Sequence, residues 1–294
     1  MKSKIVVVGS INADLVAITN KRPLPGETVL GEDFFIVPGG KGANQAVAAS
    51  RLGIETYMVG CIGKDSNGDY LYTSLKNEGV NVDYIRKIAD VSTGTAVITL
   101  EEGENSIIVI PGTNYEVTPQ IIKAMENVFI KADIVILQLE IPIETVEYVA
   151  SLCKGKNIPV ILNPAPAVKL SKELIENVSY ITPNEHEYEI VFDTNEEINE
   201  LLKKYPNKLL ITQGDKGVVF NNGKDLVTVD SIEADVIDTT GAGDTFNGAL
   251  AYALTNQYDL KNAIHFANTA AGLSVTKLGA QTGMPSLKEV LHKL

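Results

Sequence analysis

Cysteine is scarce in this chain. Among 294 residues only Cys61 and Cys153 occur, and no C-x-x-C pair is present. Neither a disulfide framework nor a thiolate zinc site is possible on that count, and a reducing cytoplasm is the expected compartment. Long apolar runs are also missing. Stretches such as Ile5–Val8 and Ile134–Leu137 fall far short of the ~20 residues a membrane-spanning helix needs. Met1-Lys2-Ser3-Lys4 carries the charge of a signal n-region, but Gly9, Ser10, Asn12 and Asp14 interrupt any apolar h-region behind it. Basic residues are in deficit, 25 against 37 acidic, for a net charge of −12. That argues against a nucleic-acid backbone or an anionic membrane as partner, though not against a small anion held by local positive potential. The three histidines, His186, His265 and His292, have no metal-ligand spacing. None of the pairs Gly40-Lys41, Gly63-Lys64, Gly155-Lys156 and Gly223-Lys224 is followed by Ser or Thr, so there is no Walker A loop. A G-x-S-x-G elbow is absent as well.

What is there is a regular α/β rhythm in a chain that is 45% hydrophobic. Strand-like runs at Lys4–Val8, Thr56–Cys61, Ala132–Leu139, Pro159–Leu162, Tyr180–Thr182 and Lys208–Thr212 alternate with helix-like segments. The helices include Gly42–Leu52, Gly68–Asn77 and Ile143–Cys153, and two long ones, Gly243–Thr255 and Leu260–Lys277, close the chain. Val- and Ile-rich runs separated by helices predict a mostly parallel sheet covered on both faces. Two regions break the rhythm. Ala13–Thr19 and Val29–Val37 have no helix between them, and Thr95–Leu100 and Ser106–Ile110 flank a hairpin turn at Glu101-Glu102-Gly103-Glu104-Asn105. These pieces are expected to pair into a small separate sheet against the main body, an insertion at about 13–37 and 94–111 in a single domain spanning 1–294. Gly217–Phe220 and Leu226–Val229 predict a further hairpin at the edge of the main sheet.

The densest polar signal is Asp238-Thr239-Thr240-Gly241-Ala242-Gly243-Asp244-Thr245-Phe246-Asn247-Gly248. A short loop with two glycines runs straight into an apolar helix. Backbone N–H groups can converge there, and the helix start adds unpaired donors and partial positive charge, which together suit a phosphoryl group. Asp244 stands at the mouth of that site, as a base or simply as a first-turn carboxylate favouring the dipole. Pro38-Gly39-Gly40-Lys41-Gly42-Ala43-Asn44-Gln45 opens another helix. Gly40, Lys41 and Asn44 can present donors to hydroxyls at close approach, or the segment is only a tight turn. Gln45 stands where a dinucleotide fingerprint needs its third glycine. Ser10-Ile11-Asn12-Ala13-Asp14 follows the first strand. Asn12 and Asp14 alternate onto one side, an amide and a carboxylate suited to vicinal hydroxyls unless the segment is a solvated turn. In Thr182-Pro183-Asn184-Glu185-His186-Glu187, Asn184 and Glu187 share one face of a starting helix. They can orient magnesium through its water shell, or Asn184 is a plain N-cap. Thr212-Gln213-Gly214-Asp215-Lys216-Gly217 either wraps a nucleotide phosphate or is an ordinary turn.

Taken together these residues resemble the ribokinase-like (PfkB) carbohydrate kinase family over essentially the whole chain. Its N-terminal signature matches Gly39-Gly40-Lys41-Gly42-Ala43-Asn44-Gln45-Ala46, continued by Gly60-x-x-Gly63-x-Asp65-x-x-Gly68, and its C-terminal signature matches Asp238 to Gly248. Leu137-Gln138-Leu139-Glu140-Ile141-Pro142, Asn163-Pro164-Ala165-Pro166-Ala167 and Gly279-Ala280-Gln281 resemble the members that act on ribose. The resemblance implies a three-layer α/β/α sandwich with a β-sheet lid that also makes a homodimer. It implies transfer of the γ-phosphoryl group of ATP to the 5-hydroxyl of D-ribose. Asp244 then matches the general base, and Gly241, Ala242 and Gly243 the anion hole. Asn12, Asp14, Gly40, Lys41, Gly42, Asn44 and Glu140 match sugar-binding positions. Asn184, Thr212, Gln213, Gly214, Asp215, Lys216, Gly217, Gly243 and Asn268 match the nucleotide site, with Glu187 holding magnesium through water. An activating potassium ion is implied beside the anion hole at Asp238, Thr240, Ser274, Lys277, Gly279 and Gly283, the last without a side-chain oxygen.

Two other function classes compete. A kinase of the same fold acting on fructose, 2-deoxyribose or adenosine would use the same hydroxyl-binding residues. A non-catalytic sugar-binding regulator would not need Asp244, the glycine loop and the Asn184/Glu187 pair together. A nicotinamide oxidoreductase is disfavoured, because Gly9 is followed by Ser10-Ile11-Asn12 and not by a glycine turn.

Overall fold

The computed structural model describes residues 3–101 and 104–294. Met1 and Lys2 of the charged start, and Glu102 and Gly103 of the expected hairpin turn, lie outside the described residues. The chain begins β1 (Lys4–Val8), β2 (Asn12–Ile18), β3 (Asp33–Gly39), α1 (Lys41–Arg51), β4 (Glu55–Gly63), α2 (Ser66–Asn77) and β5 (Asn81–Ile88). It continues β6 (Gly94–Glu101), β7 (Glu104–Ile110), α3 (Pro119–Lys123), β8 (Ile134–Leu137), α4 (Ile143–Gly155), β9 (Val160–Leu162), α5 (Lys172–Asn177) and β10 (Tyr180–Ile181). The last part is α6 (Tyr188–Phe192), α7 (Ile198–Lys204), β11 (Leu210–Thr212), β12 (Val218–Asn221), β13 (Leu226–Val229), α8 (Ala242–Thr255), α9 (Leu260–Ser274) and α10 (Leu287–Lys293).

The main sheet has six strands in the order β10-β9-β8-β1-β4-β5, all parallel. Isolated parallel bridges, Ile181 to Leu209 and Asn184 to Thr212, join its β10 edge to an antiparallel sheet β11-β12-β13. The expected edge hairpin is therefore present. The sheet is covered on both faces because its central strands are apolar and buried on both sides, β1 from Ile5 on and β8 and β9 throughout. Ile5 and Val7 of β1 point into a core shared with α1, α8 and α9, while Val6 and Val8 point into a second core shared with α4. Such two-sided burial is what a parallel α/β sheet requires.

The second sheet has four strands in the order β3-β2-β6-β7. Strand β2 pairs antiparallel with β3 and parallel with β6, and β6 pairs antiparallel with β7. This is the separate small sheet that the strand pattern predicts. Its junction with the main body is built from the second half of the N-terminal signature. Asp65 caps α2 by accepting from the Gly68 N–H at 2.7 Å, and also accepts from Thr93 N–H at 2.8 Å and Thr93 Oγ1 at 2.6 Å. The Gly63 N–H in turn donates to Thr93 Oγ1 at 2.8 Å, so one carboxylate fixes a helix start and the entry to β6 together.

Some boundaries and elements differ from expectation. Strand β3 starts at Asp33, not near Val29. Strand β5, polar on one side and at the sheet edge, is an additional element. Helix α9 stops at Ser274 and not at Lys277, because the chain turns there and the Val275 carbonyl accepts from Ile237 and Asp238 N–H at 2.8 and 3.1 Å. The chain ends in the short helix α10, not in the two long ones, and Ser286 and Glu289 close a capping box at its start.

Candidate active site

Strand β1 is the point where the sheet order reverses, with β8 on one side and β4 on the other. A crevice outside the carboxyl ends of the strands is the expected ligand site at such a switch. A cleft of about 380 Å³ opens on that side of the sheet, outside the carboxyl ends of β9, β10 and β11, lined by residues that include Lys41, Asn163, Asn184, Glu187, Gly241, Gly243, Asp244 and Asn268. An adjoining cleft of about 660 Å³ shares Gly214, Thr239, Ala242 and Ala271 with it and adds apolar walls from Ile232, Val236 and Val275.

Asp244 occupies the first turn of α8 and is only 6% exposed. Its Oδ2 accepts from Asn44 Nδ2 at 2.9 Å and its Oδ1 from Gln45 Nε2 at 2.9 Å. Burial pushes its pKa up, opposed by the nearby Lys41 charge and by the two amide donors. Gly241 at φ 79° bends the chain into the helix, and an added Cβ there would meet the Ala280 backbone at 2.8 Å. The N–H groups of Gly241, Gly243 and Asp244 have no partner among the described residues, whereas that of Ala242 donates to the Thr239 carbonyl at 3.2 Å. Beyond its chain neighbours and its own helix backbone, no atom lies within 4 Å of where a Gly243 Cβ would sit. The nest is therefore open toward the cleft, and Ala242 takes part in it by shape and not by a free N–H.

The hydroxyl-binding candidates gather next to Asp244. Gly40 at φ 87° brings its backbone against Asn12, where an added Cβ would lie 2.7 Å from the Asn12 nitrogen. Asn12 is buried; its Oδ1 accepts from Asn114 Nδ2 at 2.6 Å, and its own Nδ2 has no partner among the described residues. Glu140 ties three segments together, accepting from Ser10 Oγ at 2.5 Å and from the Lys41 N–H at 3.0 Å, while Gly42 N–H donates to Ser10 Oγ at 3.2 Å. The Asp14 pKa is pushed up to about 7, first by burial and then by the charges of Glu140 and Asp244. Burial works to lower the Lys41 pKa, but the charges of Asp244, Glu140 and Glu187 outweigh it and the ammonium is held above its ordinary value. Lys41 thus stays cationic amid carboxylates on the sugar-binding and nucleotide-binding candidates.

Asn184 and Glu187 lock each other. Asn184 Oδ1 accepts from the His186 and Glu187 N–H at 2.8 and 2.9 Å, and Glu187 Oε2 accepts from Asn184 N–H at 2.9 Å. Both side chains line the cleft. From the Thr212–Gly217 loop, Thr212, Gly214 and Gly217 line the first cleft and Asp215 the second, while Gln213 and Lys216 line neither. Asn268 holds the far wall by donating to the Val229 and Asp230 carbonyls at 2.8 and 3.1 Å. Beside the nest, Asp238 accepts from Thr240 N–H at 2.9 Å and from Gly279 N–H at 2.8 Å, tying the loop before α8 to the loop after α9. Burial acts to raise the Asp238 pKa, but the Thr240 and Gly279 donors hold it below the usual carboxylate range. Gly283 packs against the Ser274 carbonyl so closely that any Cβ would collide with it, and Lys277 is exposed.

A model of the pfkB family carbohydrate kinases matches residues 2–287. The chain belongs to that family. It is 50% identical over 287 residues to the ribokinase of Bacillus subtilis (strain 168), covering 97% of this chain and 97% of that protein. It is 48% identical over 293 residues to the ribokinase of Lactococcus lactis subsp. lactis, covering 99% and 97%. The structure of Arabidopsis thaliana ribokinase complexed with ribose and ATP superposes with a TM-score of 0.93 at 35% identity, covering 99% of this chain and 98% of that one. The fold is that of the ribokinase-like carbohydrate kinases, a mostly parallel sheet between helices with a small second sheet, and the chain is a sugar kinase.

Several contacts of the site carry no local signal. Asn114, which orients Asn12 and accepts from the Ile11 N–H at 2.9 Å, is more than a hundred residues away in sequence. Gln45 stands in the first signature, yet only the fold reveals that its amide meets Asp244, 199 residues on. Gln281 reaches Asn44 across 237 residues.

Proposed function

We propose that this carbohydrate kinase transfers the γ-phosphoryl group of ATP to the 5-hydroxyl of D-ribose, giving D-ribose 5-phosphate and ADP. The observation that carries the reading is one buried carboxylate, Asp244, placed between an open nest of backbone N–H groups and the cluster Asn12, Asp14, Lys41 and Glu140. Similarity to ribokinases over nearly the full length selects ribose among the sugars such a cluster could accept.

Sugar hydroxyls would be held by the carboxylates of Asp14 and Glu140, the free amide of Asn12 and the backbone at Gly40 and Gly42. Asp244 takes the hydroxyl proton as the new O–P bond forms and the bond to the leaving ADP oxygen breaks. Its raised pKa makes it the better proton acceptor. The nest at Gly241–Gly243 and the Lys41 ammonium meet the charge on the transferring group, whose loose transition state depends on positioning and electrostatics. ATP fits the pair of adjoining clefts, its base toward the apolar walls and its phosphates toward the nest. Glu187, with Asn184 fixing it, would hold magnesium through water. Asp238, Thr240, Ser274, Lys277, Gly279 and Gly283 would hold potassium through their oxygens. When bound, these cations neutralise phosphate charge and steady the nest. The lid sheet covers the sugar end and excludes water, and an exposed apolar strand on it favours a homodimer. We read the whole chain as one such domain, working in the cytoplasm.

A coupled ADP-release assay over ribose, 2-deoxyribose, fructose and adenosine, with and without potassium, tests the reading. Ribose is expected to give the highest kcat/KM, raised further by potassium. A higher kcat/KM for another acceptor would reassign the substrate, and sugar binding with no ADP release under magnesium and potassium would leave a binding protein.

A further inference from the structure

The Asp244 carboxylate terminates two chains of buried amides. We propose that Gln138 and Gln281, at the outer ends of those chains, are positioning residues that set the orientation and proton affinity of the base through Gln45 and Asn44.

An ionised carboxylate only accepts hydrogen bonds, so the atoms of Asn44 and Gln45 that face Asp244 must be amide nitrogens. Each amide oxygen is then turned away and needs a donor of its own. Gln138 Nε2 supplies one to Gln45 Oε1 at 2.6 Å, and Gln281 Nε2 supplies the other to Asn44 Oδ1 at 2.9 Å. All four amides thereby point their donors toward the anion, an order in which each bond polarises the next. Gln45 Nε2 also reaches Asn163 Oδ1 at 3.2 Å, which leaves it no freedom to turn over.

Gln138 is the telling member. It is fully buried at the end of β8, and its Oε1 has no hydrogen-bond partner. A leucine of similar volume would avoid that unpaired oxygen, so packing alone does not account for an amide here. Gly9 makes the room, since an added Cβ at that position would collide with Gln138 Oε1. The other arm is held from behind: Arg51 Nη1 donates to the Gln281 carbonyl at 2.5 Å and to the Met284 carbonyl at 3.0 Å. Other charged groups that face Asp244 are Lys41 on α1, Glu140 beyond β8 and Asp14 on β2, and none of them hydrogen-bonds to either outer glutamine.

The test rests on the ribose reading and uses Q138L and Q281L, each assayed with ribose and ATP across pH beside the intact enzyme. Thermal melting establishes that each variant is folded. Losing an arm frees the carboxylate to rotate, so kcat is expected to fall roughly ten- to a hundred-fold while the ribose KM stays within about threefold. The acid limb of kcat/KM is expected to move about one pH unit higher, because an anion short of polarised donors binds its proton more tightly. Folded variants whose acid limb stays at the wild-type position overturn the proposal, whatever happens to KM. If Q138L does not fold, Q281L, which lies on a loop, decides alone. A wild-type enzyme that leaves ribose untouched rejects the substrate reading instead, and the same pH comparison is then made with the sugar it accepts.

Discussion

Asp14 shows how a single side chain ties binding to stability. Its carboxyl is shifted from an ordinary 3.8 to about 7 by burial and by two neighbouring carboxylates. Between those values the folded protein holds more protons than the unfolded chain, so stability falls as pH rises through the window. Asp14→Asn is expected to be more stable than wild type near pH 8 by about 2–4 kcal/mol, with no gain near pH 4, and to bind ribose more weakly. Denaturant melts at both pH values with a ribose titration check this. A stability difference independent of pH would show that Asp14 is not the carboxylate burdened by the site. The residues legible in the sequence were those whose neighbours in the chain announce them: Gly241 to Asp244 at a helix start, and Asn184 with Glu187 one turn apart. The contacts of Asn44 and Gln45 with Asp244 were not, since their meeting depends on α1, α8 and the loop after α9 converging.

Among the elements, β7 is the one with no inner face. Every described residue from Glu104 to Ile110 is exposed, and Ile108 is 66% exposed. It also forms one edge of the four-stranded sheet, so it offers both unpaired backbone groups and apolar side chains. If lids pair, Ile108→Asp is expected to bring sedimentation from twice the chain mass down to 31.6 kDa. A wild type that already sediments as a single chain would remove the dimer. The lid strands were legible because β-like runs there lacked intervening helices. Strand β5 was not, because Asn81–Ile88 alternates with charged residues on its outer side and relies on β4 for its place. The overrun at the end of α9 has the same origin: the Thr276 and Lys277 pattern suits a helix, but Val275 is needed to receive the loop that leads to Asp238.

For the whole molecule, net charge and site charge have opposite senses. A chain at −12 attracts a nucleotide only through local features, and here those are the start of α8, its unpaired N–H groups and the Lys41 ammonium. The fold places these beside Asp14 and Glu140, the carboxylates proposed to hold the sugar, with the small sheet next to them. The proposed function gives that architecture one chemical consequence, that Asp244 takes the proton of the attacking hydroxyl. The measurement that reaches it most directly is the steady-state rate of Asp244→Asn with saturating ribose, ATP, magnesium and potassium. The variant keeps the shape of the side chain but not its charge, so kcat should fall by about 10²–10⁴-fold with a much smaller change in ribose affinity. Turnover near the wild-type rate would contradict the account.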